Sequence, residues 1–146
     1  MYNLASITIY TDGGSRGNPG PAALGTYIES EDGSEIKSIG KNLGITTNNV
    51  AEYSAIKEGL DWVFANLSEM PSLKKINFFM DSQLAASQLN GLYKIKNAGL
   101  REIFFEIKKL EIQIKIPIYY THIPREKNKK ADRLVNLALD TGSDIF

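Results

Sequence analysis

The chain has 146 residues, 42% of them apolar, no cysteine, and 17 basic against 17 acidic side chains, giving a formal charge of zero. That length suits a single domain (1–146) with a core of its own, while the missing cysteines exclude a disulfide scaffold, a thiolate zinc site and a thiol nucleophile. Zero net charge argues against a partner held by bulk electrostatics, and no run approaches the roughly 18 apolar residues of a membrane span, so a soluble cytoplasmic protein with no membrane partner is expected. The total conceals an asymmetry: residues 1–93 carry 6 basic and 10 acidic residues, whereas residues 94–130 carry 10 and 4. A chain divided in this way can place an acidic site beside a basic surface.

In chain order, residues 6–11 are a β-branched and aromatic run that ends at Asp12-Gly13-Gly14, which reads as a strand entering a turn. Residues 22–29 and 34–41 are two further strands, joined as a hairpin through Ser30-Glu31-Asp32-Gly33. The period then changes. From Asn48 to about Leu67, the residues Ile56, Leu60, Val63 and Leu67 fall on one helical stripe. Residues 74–80 form an apolar strand, Asp81-Ser82 starts a helix over 84–89, and Asn90-Gly91 stops it. A helix over 98–112 follows, then a strand over 114–122 whose Pro117 assigns it to a sheet edge or a kinked entry. Asn128 is placed to cap a last helix to about Asp140, stopped by Gly142, with 141–146 as a short tail. Three strands joined by short turns pair antiparallel, and strands separated by helices join in parallel by right-handed crossovers. The fold class is therefore α/β: a mixed sheet of about five strands, the first three antiparallel, with helices on both faces.

Four carboxylates occupy unusual places. Asp12 and Asp81 each end a predicted strand, the edge at which open α/β sheets bind ligands. Glu52 lies four residues before Ile56, in line with the stripe that faces the sheet, where a carboxylate is desolvated unless something compensates it. Asp132 repeats the theme at the start of the last helix, beside the stripe of Val135 and Leu139. Any one of them alone has a bland reading as a turn residue or a helix N-terminal acid. Converging on one sheet edge, they would raise one another's pKa values unless a cation neutralised them. With no cysteine and one histidine, hard oxygen ligands favour Mg²⁺ or Mn²⁺, and two such ions form the clamp used for phosphoryl displacement.

Four segments carry a resemblance. Tyr10-Thr11-Asp12-Gly13-Gly14-Ser15-Arg16-Gly17-Asn18-Pro19-Gly20-Pro21, Thr46-Thr47-Asn48-Asn49-Val50-Ala51-Glu52-Tyr53, Asp81-Ser82-Gln83, and His122-Ile123-Pro124-Arg125-Glu126-Lys127-Asn128-Lys129-Lys130-Ala131-Asp132 resemble the motifs of type 1 ribonuclease H, in that family's order. The chain is similar to a short form without the basic handle or the hybrid-binding domain of some relatives.

The resemblance implies a ribonuclease H-like fold and an endonuclease. Its reaction would be hydrolysis of the RNA strand of an RNA/DNA hybrid with two Mg²⁺ or Mn²⁺ ions, giving a 3′-hydroxyl and a 5′-phosphate. Double-stranded RNA is a second candidate substrate. By that likeness Asp12 bridges both metals, Asp132 holds the metal that activates water, and Glu52 and Asp81 hold the leaving-group metal. Glu52 also senses a ribose 2′-hydroxyl, and His122 assists proton transfer or product release. Gly13 and Gly14 let the backbone approach a sugar-phosphate chain. Asn18, Asn48 and Asn49 read the minor groove, and Thr47 and Asn97 grip a DNA phosphate. Read without the likeness, Asn48 is a helix cap.

Ile45 stands where some relatives place an arginine in the phosphate pocket. Substrate binding then falls to Lys94, Lys96 and the Lys127, Lys129 and Lys130 cluster, which are expected to flank the carboxylates and make binding strongly salt-dependent. No heptad run or long apolar patch is evident, so a monomer is expected. Two other readings stay open. A non-catalytic nucleic-acid binding module is disfavoured by the presence of all four carboxylates, and a DNA-directed nuclease by the Asn-Pro-Gly and Thr-Asn-Asn motifs.

Overall fold

The computed structural model describes residues 2–91, 95 and 97–146. Strands β1 (Ser6–Ser15), β2 (Gly20–Ser30), β3 (Glu35–Thr46), β4 (Lys75–Met80) and β5 (Ile118–His122) form a sheet in the order β3-β2-β1-β4-β5. The pairs β1/β2 and β2/β3 are antiparallel, and β1/β4 and β4/β5 are parallel. The mixed sheet expected from the strand spacing is the one observed. Its helices are α1 (Asn48–Ala65), α2 (Gln83–Leu89), α3 (Ala98–Ile114) and α4 (Lys129–Thr141). Among the described residues, no helix is long and apolar enough to cross a membrane.

The layers follow from the alternation of β1. Ile7 and Ile9 are fully buried in the larger core with Ile56, Leu60 and Val63 of α1, Phe78 of β4, and Leu100 and Ile107 of α3. The opposite face is covered by α4, whose Val135 and Ala138 pack on Ala23 of β2. Two glycines let the helices approach closely. A Cβ on Gly59 would stand 3.0 Å from the Phe78 ring and 3.1 Å from Ile9, and one on Gly25 would stand 2.2 Å from the Ala131 carbonyl.

Several boundaries differ from those read in the sequence. β1 does not turn at Asp12-Gly13-Gly14, because its pairing with β2 continues through Asp12↔Gly25, Gly13↔Leu24, Gly14↔Ala23 and Ser15↔Ala22. A ladder of backbone hydrogen bonds on a central strand outweighs local turn preference. β3 likewise runs on to Thr46, across a bulge where Gly44 takes φ 74°. α1 stops at Ala65, and Leu67 falls in a 3-10 turn.

Helix α3 reaches Ile114 and ends on Lys115 in the left-handed region, so Pro117 precedes β5 instead of interrupting it. β5 is an edge strand, as the proline implied. Gly142 terminates α4 in the left-handed conformation, as expected. Asn128 precedes α4 but gives it no side-chain cap: its Nδ2 donates to the Thr11 carbonyl, and its Oδ1 accepts from no amide of the helix among the described residues. Beyond Gly142 the tail is fastened to β3: Gly40 and Ile145 exchange backbone hydrogen bonds of 2.9 and 2.7 Å, and the Asn42 amide donates to Asp144.

Candidate active site

The parallel pairing of β1 with β4 ends at Thr11↔Met80. Asp12 and Asp81 are therefore the next residues on two neighbouring strands at the carboxyl edge of the parallel sheet, where side chains escape the ladder and face a cleft. Glu52 reaches the same place from α1 because Gly13 has no side chain. A Cβ there would lie 2.2 Å from the Ala51 carbonyl carbon and 2.3 Å from the Glu52 nitrogen. Gly13 thus allows the close contact of α1 with β1, and it also borders the cleft. Gly14 has room, since a Cβ would meet only Val135 at 3.7 Å.

Ser82 links two of the acids. Its hydroxyl accepts from the Ala85 amide at 3.1 Å, capping α2, and favours the charged form of the nearby Glu52 carboxylate. Asp132 lies in the first turn of α4, and its amide donates to the Asn128 carbonyl at 3.2 Å. The Asn128 side chain, fully buried, donates to the Thr11 carbonyl at 2.9 Å and to Asp81 Oδ2 at 3.4 Å.

All four carboxylates are half-buried. Burial, with the fields of Asp81 and Asp132, pushes Asp12 up from 3.8 to about 8, and Asp12 is also in hydrogen-bond contact with the Asp132 carboxyl. Burial likewise raises Glu52 to about 7, with the Ser82 hydroxyl opposing the shift and the Asp81 charge adding to it. These carboxyls hold protons that a cation would replace. The donor set is all hard oxygen and fits Mg²⁺ or Mn²⁺. Among the described residues, no three of these groups are gathered into a ready-made cation cage.

The cleft they face has a volume of about 600 Å³ and is bordered also by Gly14, Asn18, Asn48, Asn49, Arg16 and Arg125. Asn48 fastens its rim: its Oδ1 accepts from the Ser15 amide at 2.8 Å, while the Asn48 amide donates to Asn18 Oδ1 at 3.1 Å. The cap of α1 is Thr47, whose hydroxyl accepts from Val50, so Asn48 is not the cap that its position implied. Asn97 caps α3 in the same way, accepting from Leu100 at 3.1 Å. Neither Thr47 nor Asn97 borders the cleft. Ile45 is 78% exposed beside this region.

His122 ends β5, exposed and in register with Met80, outside the cleft lining. Lys94 and Lys96 lie outside the described residues. The expectation that Lys127, Lys129 and Lys130 border the carboxylates is not met. They line a separate pocket of about 270 Å³ with Tyr10, Glu29 and Glu126, and Tyr10 is two residues before Asp12 on β1, about 7 Å away. Lys130 lies 4.5 Å over the Tyr27 ring, donates to its hydroxyl at 3.1 Å and stands 3.7 Å from Glu29. Among the described residues, the cations at the cleft are Arg16, paired with Asp140 at 2.5 Å, and Arg125. Ser82 and Asn128, read in the sequence only as helix starts, and Arg125, not singled out there, join the site, and all three lie within the four motifs.

The RNase H family model matches residues 5–140. A bifunctional protein of Mycobacterium tuberculosis is 38% identical over 139 residues, covering 94% of this chain and 36% of that protein. The ribonuclease HI of Halobacterium salinarum is 38% identical over 135 residues, covering 92% and 64%. The chain thus spans from about a third to just under two thirds of these relatives' length. Among solved structures, LC11-RNase H1, isolated from compost by a metagenomic approach, superposes with a TM-score of 0.89 at 40% identity, over 95% of this chain and 99% of that one. The same protein in complex with an RNA/DNA hybrid gives 0.87 at 40% identity, over 93% and 98%. With the profile matching nearly end to end and its four acidic positions meeting in one cleft, the chain belongs to the RNase H family.

Proposed function

We propose that the chain is a metal-dependent endonuclease that hydrolyses the RNA strand of RNA/DNA hybrids, leaving 3′-hydroxyl and 5′-phosphate ends. The observation that carries this is the delivery of Asp12, Glu52, Asp81 and Asp132 by four different elements to one open, polar cleft rimmed by asparagines and arginines. The hybrid-bound structure of LC11-RNase H1 supports the substrate.

Asp12, Glu52, Asp81 and Asp132 would hold Mg²⁺ or Mn²⁺, and a pair of such ions, when bound, supplies an activated water and a stabilised leaving oxygen. By the family resemblance Asp12 would be shared by both ions, Asp132 would serve the side that activates water, and Glu52 and Asp81 would serve the leaving-group side. Glu52 would also accept a hydrogen bond from a ribose 2′-hydroxyl, the group that separates RNA from DNA. Asn18 and Asn48 commit their carbonyl oxygens inside the protein, so their NH₂ groups, with Asn49, donate to the minor groove. Arg16 and Arg125 meet phosphates. His122 takes part in proton transfer or product release from the end of β5, and the molecule acts as a cytoplasmic monomer.

The test is incubation of labelled RNA/DNA hybrid, double-stranded RNA and double-stranded DNA with Mg²⁺ or Mn²⁺, followed by ligation of the products. Internal cuts in the hybrid's RNA strand, with ends that ligate without prior phosphorylation, are expected. A hybrid that survives both metals, or cuts confined to the DNA, would refute the proposal.

A further inference from the structure

Among the described residues, Asn128 is the one fully buried polar side chain that hydrogen-bonds to more than one carboxylate-bearing element. Its Nδ2 donates to the carbonyl of Thr11, the residue before Asp12, and to the Asp81 carboxylate, while its own backbone carbonyl accepts from the Asp132 amide. One residue therefore joins the end of β1, the end of β4 and the first turn of α4. Its amide orientation is fixed by chemistry, because a flipped side chain would set its oxygen against two acceptors. In the observed orientation Oδ1 is buried with no hydrogen-bond partner among the described residues. Sealing off an acceptor in this way is unfavourable, and a small apolar residue would avoid it. A fold that keeps asparagine here gains the two donated bonds.

We propose that Asn128 is a positioning residue that sets the spacing of Asp81, Asp12 and Asp132 for cation binding without touching the substrate. Glu52 enters the cleft from α1, and the Asn128 side chain donates to Thr11 and Asp81 instead, so Glu52 lies outside this control. The turnover part of the inference rests on the nuclease reading given above, whereas the cation part does not.

Asn128→Ala is compared with Ile107→Ala, which opens the core on α3, at a temperature where circular dichroism shows both variants folded. Binding of Mn²⁺ is followed by the electron paramagnetic resonance of the free ion, and kcat and KM for hybrid are measured across a Mg²⁺ series. In Asn128→Ala, Mn²⁺ affinity and kcat each fall about tenfold or more, KM at saturating metal stays within about twofold, and Ile107→Ala behaves as wild type. Unchanged Mn²⁺ affinity and kcat in folded Asn128→Ala, or an equal loss in Ile107→Ala, would overturn the proposal. If Asn128→Ala does not fold, the side-chain amide resonances of Asn128 in the wild type decide the matter. They shift with the midpoint of a Mg²⁺ titration if the proposal holds, and a shift that is absent refutes it. Wild type that binds Mn²⁺ but leaves hybrid intact would sink the nuclease reading, and the Mn²⁺ comparison would still test Asn128.

Discussion

Replacing Asp12 by asparagine should stabilise the metal-free protein while removing its activity. In the folded chain Asp12 keeps its proton to about pH 8, against 3.8 for the free side chain. Between those values the native state binds a proton that the unfolded state has released, so stability falls as pH rises through that window. A tenfold change in proton affinity is worth about 1.4 kcal/mol, which sets a ceiling of about 5–6 kcal/mol at pH 8. The carboxyl is only half-buried and is in hydrogen-bond contact with Asp132, so about 2 kcal/mol is the expected gain for Asp12→Asn, or about 4–8 °C in Tm for a domain of this size. Thermal melts in chelator at pH 8 and pH 4.5 measure it: a clear gain at pH 8 that nearly vanishes at pH 4.5. Saturating Mg²⁺ should then raise the wild-type Tm more than that of the variant. A variant less stable than wild type at pH 8, or a gain equal at both pH values, would refute the electrostatic argument.

Three further outcomes are expected. Gly13→Ala drives a methyl group into the Ala51–Glu52 peptide, which should cost about 1–3 kcal/mol by urea unfolding and, by moving Glu52, lower kcat about tenfold or more. Arg125→Ala should raise KM for hybrid, leave kcat nearly unchanged and reduce the slope of log affinity against log salt by about 1; an unchanged slope would remove Arg125 from the phosphate contacts. His122→Ala, at an exposed strand end, should leave Tm unaltered and lower kcat about tenfold or more, and a wild-type kcat would end its assignment to proton transfer.

The acids were legible from their positions taken together. Each acid alone reads as a turn residue or a helix N-terminal acid, but a carboxylate in register with Ile56 and Leu60 and two more closing apolar strands point to one sheet edge, and the cleft is where they meet. What pairs with them was less legible. The turn propensity of Asp12-Gly13-Gly14 is real, but β2 supplies a partner for each of those residues, and pairing between strands distant along the chain leaves no local trace. Asn128 reads as a helix cap from its neighbours alone, yet Thr11, 117 positions away, claims its amide.

The lysine cluster shows a different limit. Lys127, Lys129 and Lys130 lie close to Asp132 along the chain, but the turn before α4 and the first turn of that helix carry them to the pocket beside Tyr10, with Lys130 over Tyr27. Nearness in sequence placed them on the right end of the helix and on the wrong side of it.

Under the proposed function the four acids act as one cation-dependent site on the hybrid. Single-turnover cleavage of a labelled RNA/DNA hybrid by wild type, Asp12→Asn, Glu52→Gln, Asp81→Asn and Asp132→Asn, with Mg²⁺, with Mn²⁺ and after chelation, tests it most directly. Each variant should be slower than wild type by at least about a hundredfold, and chelation should abolish the wild-type rate. Wild-type cleavage by Asp12→Asn, or cleavage that persists in chelator, would contradict it.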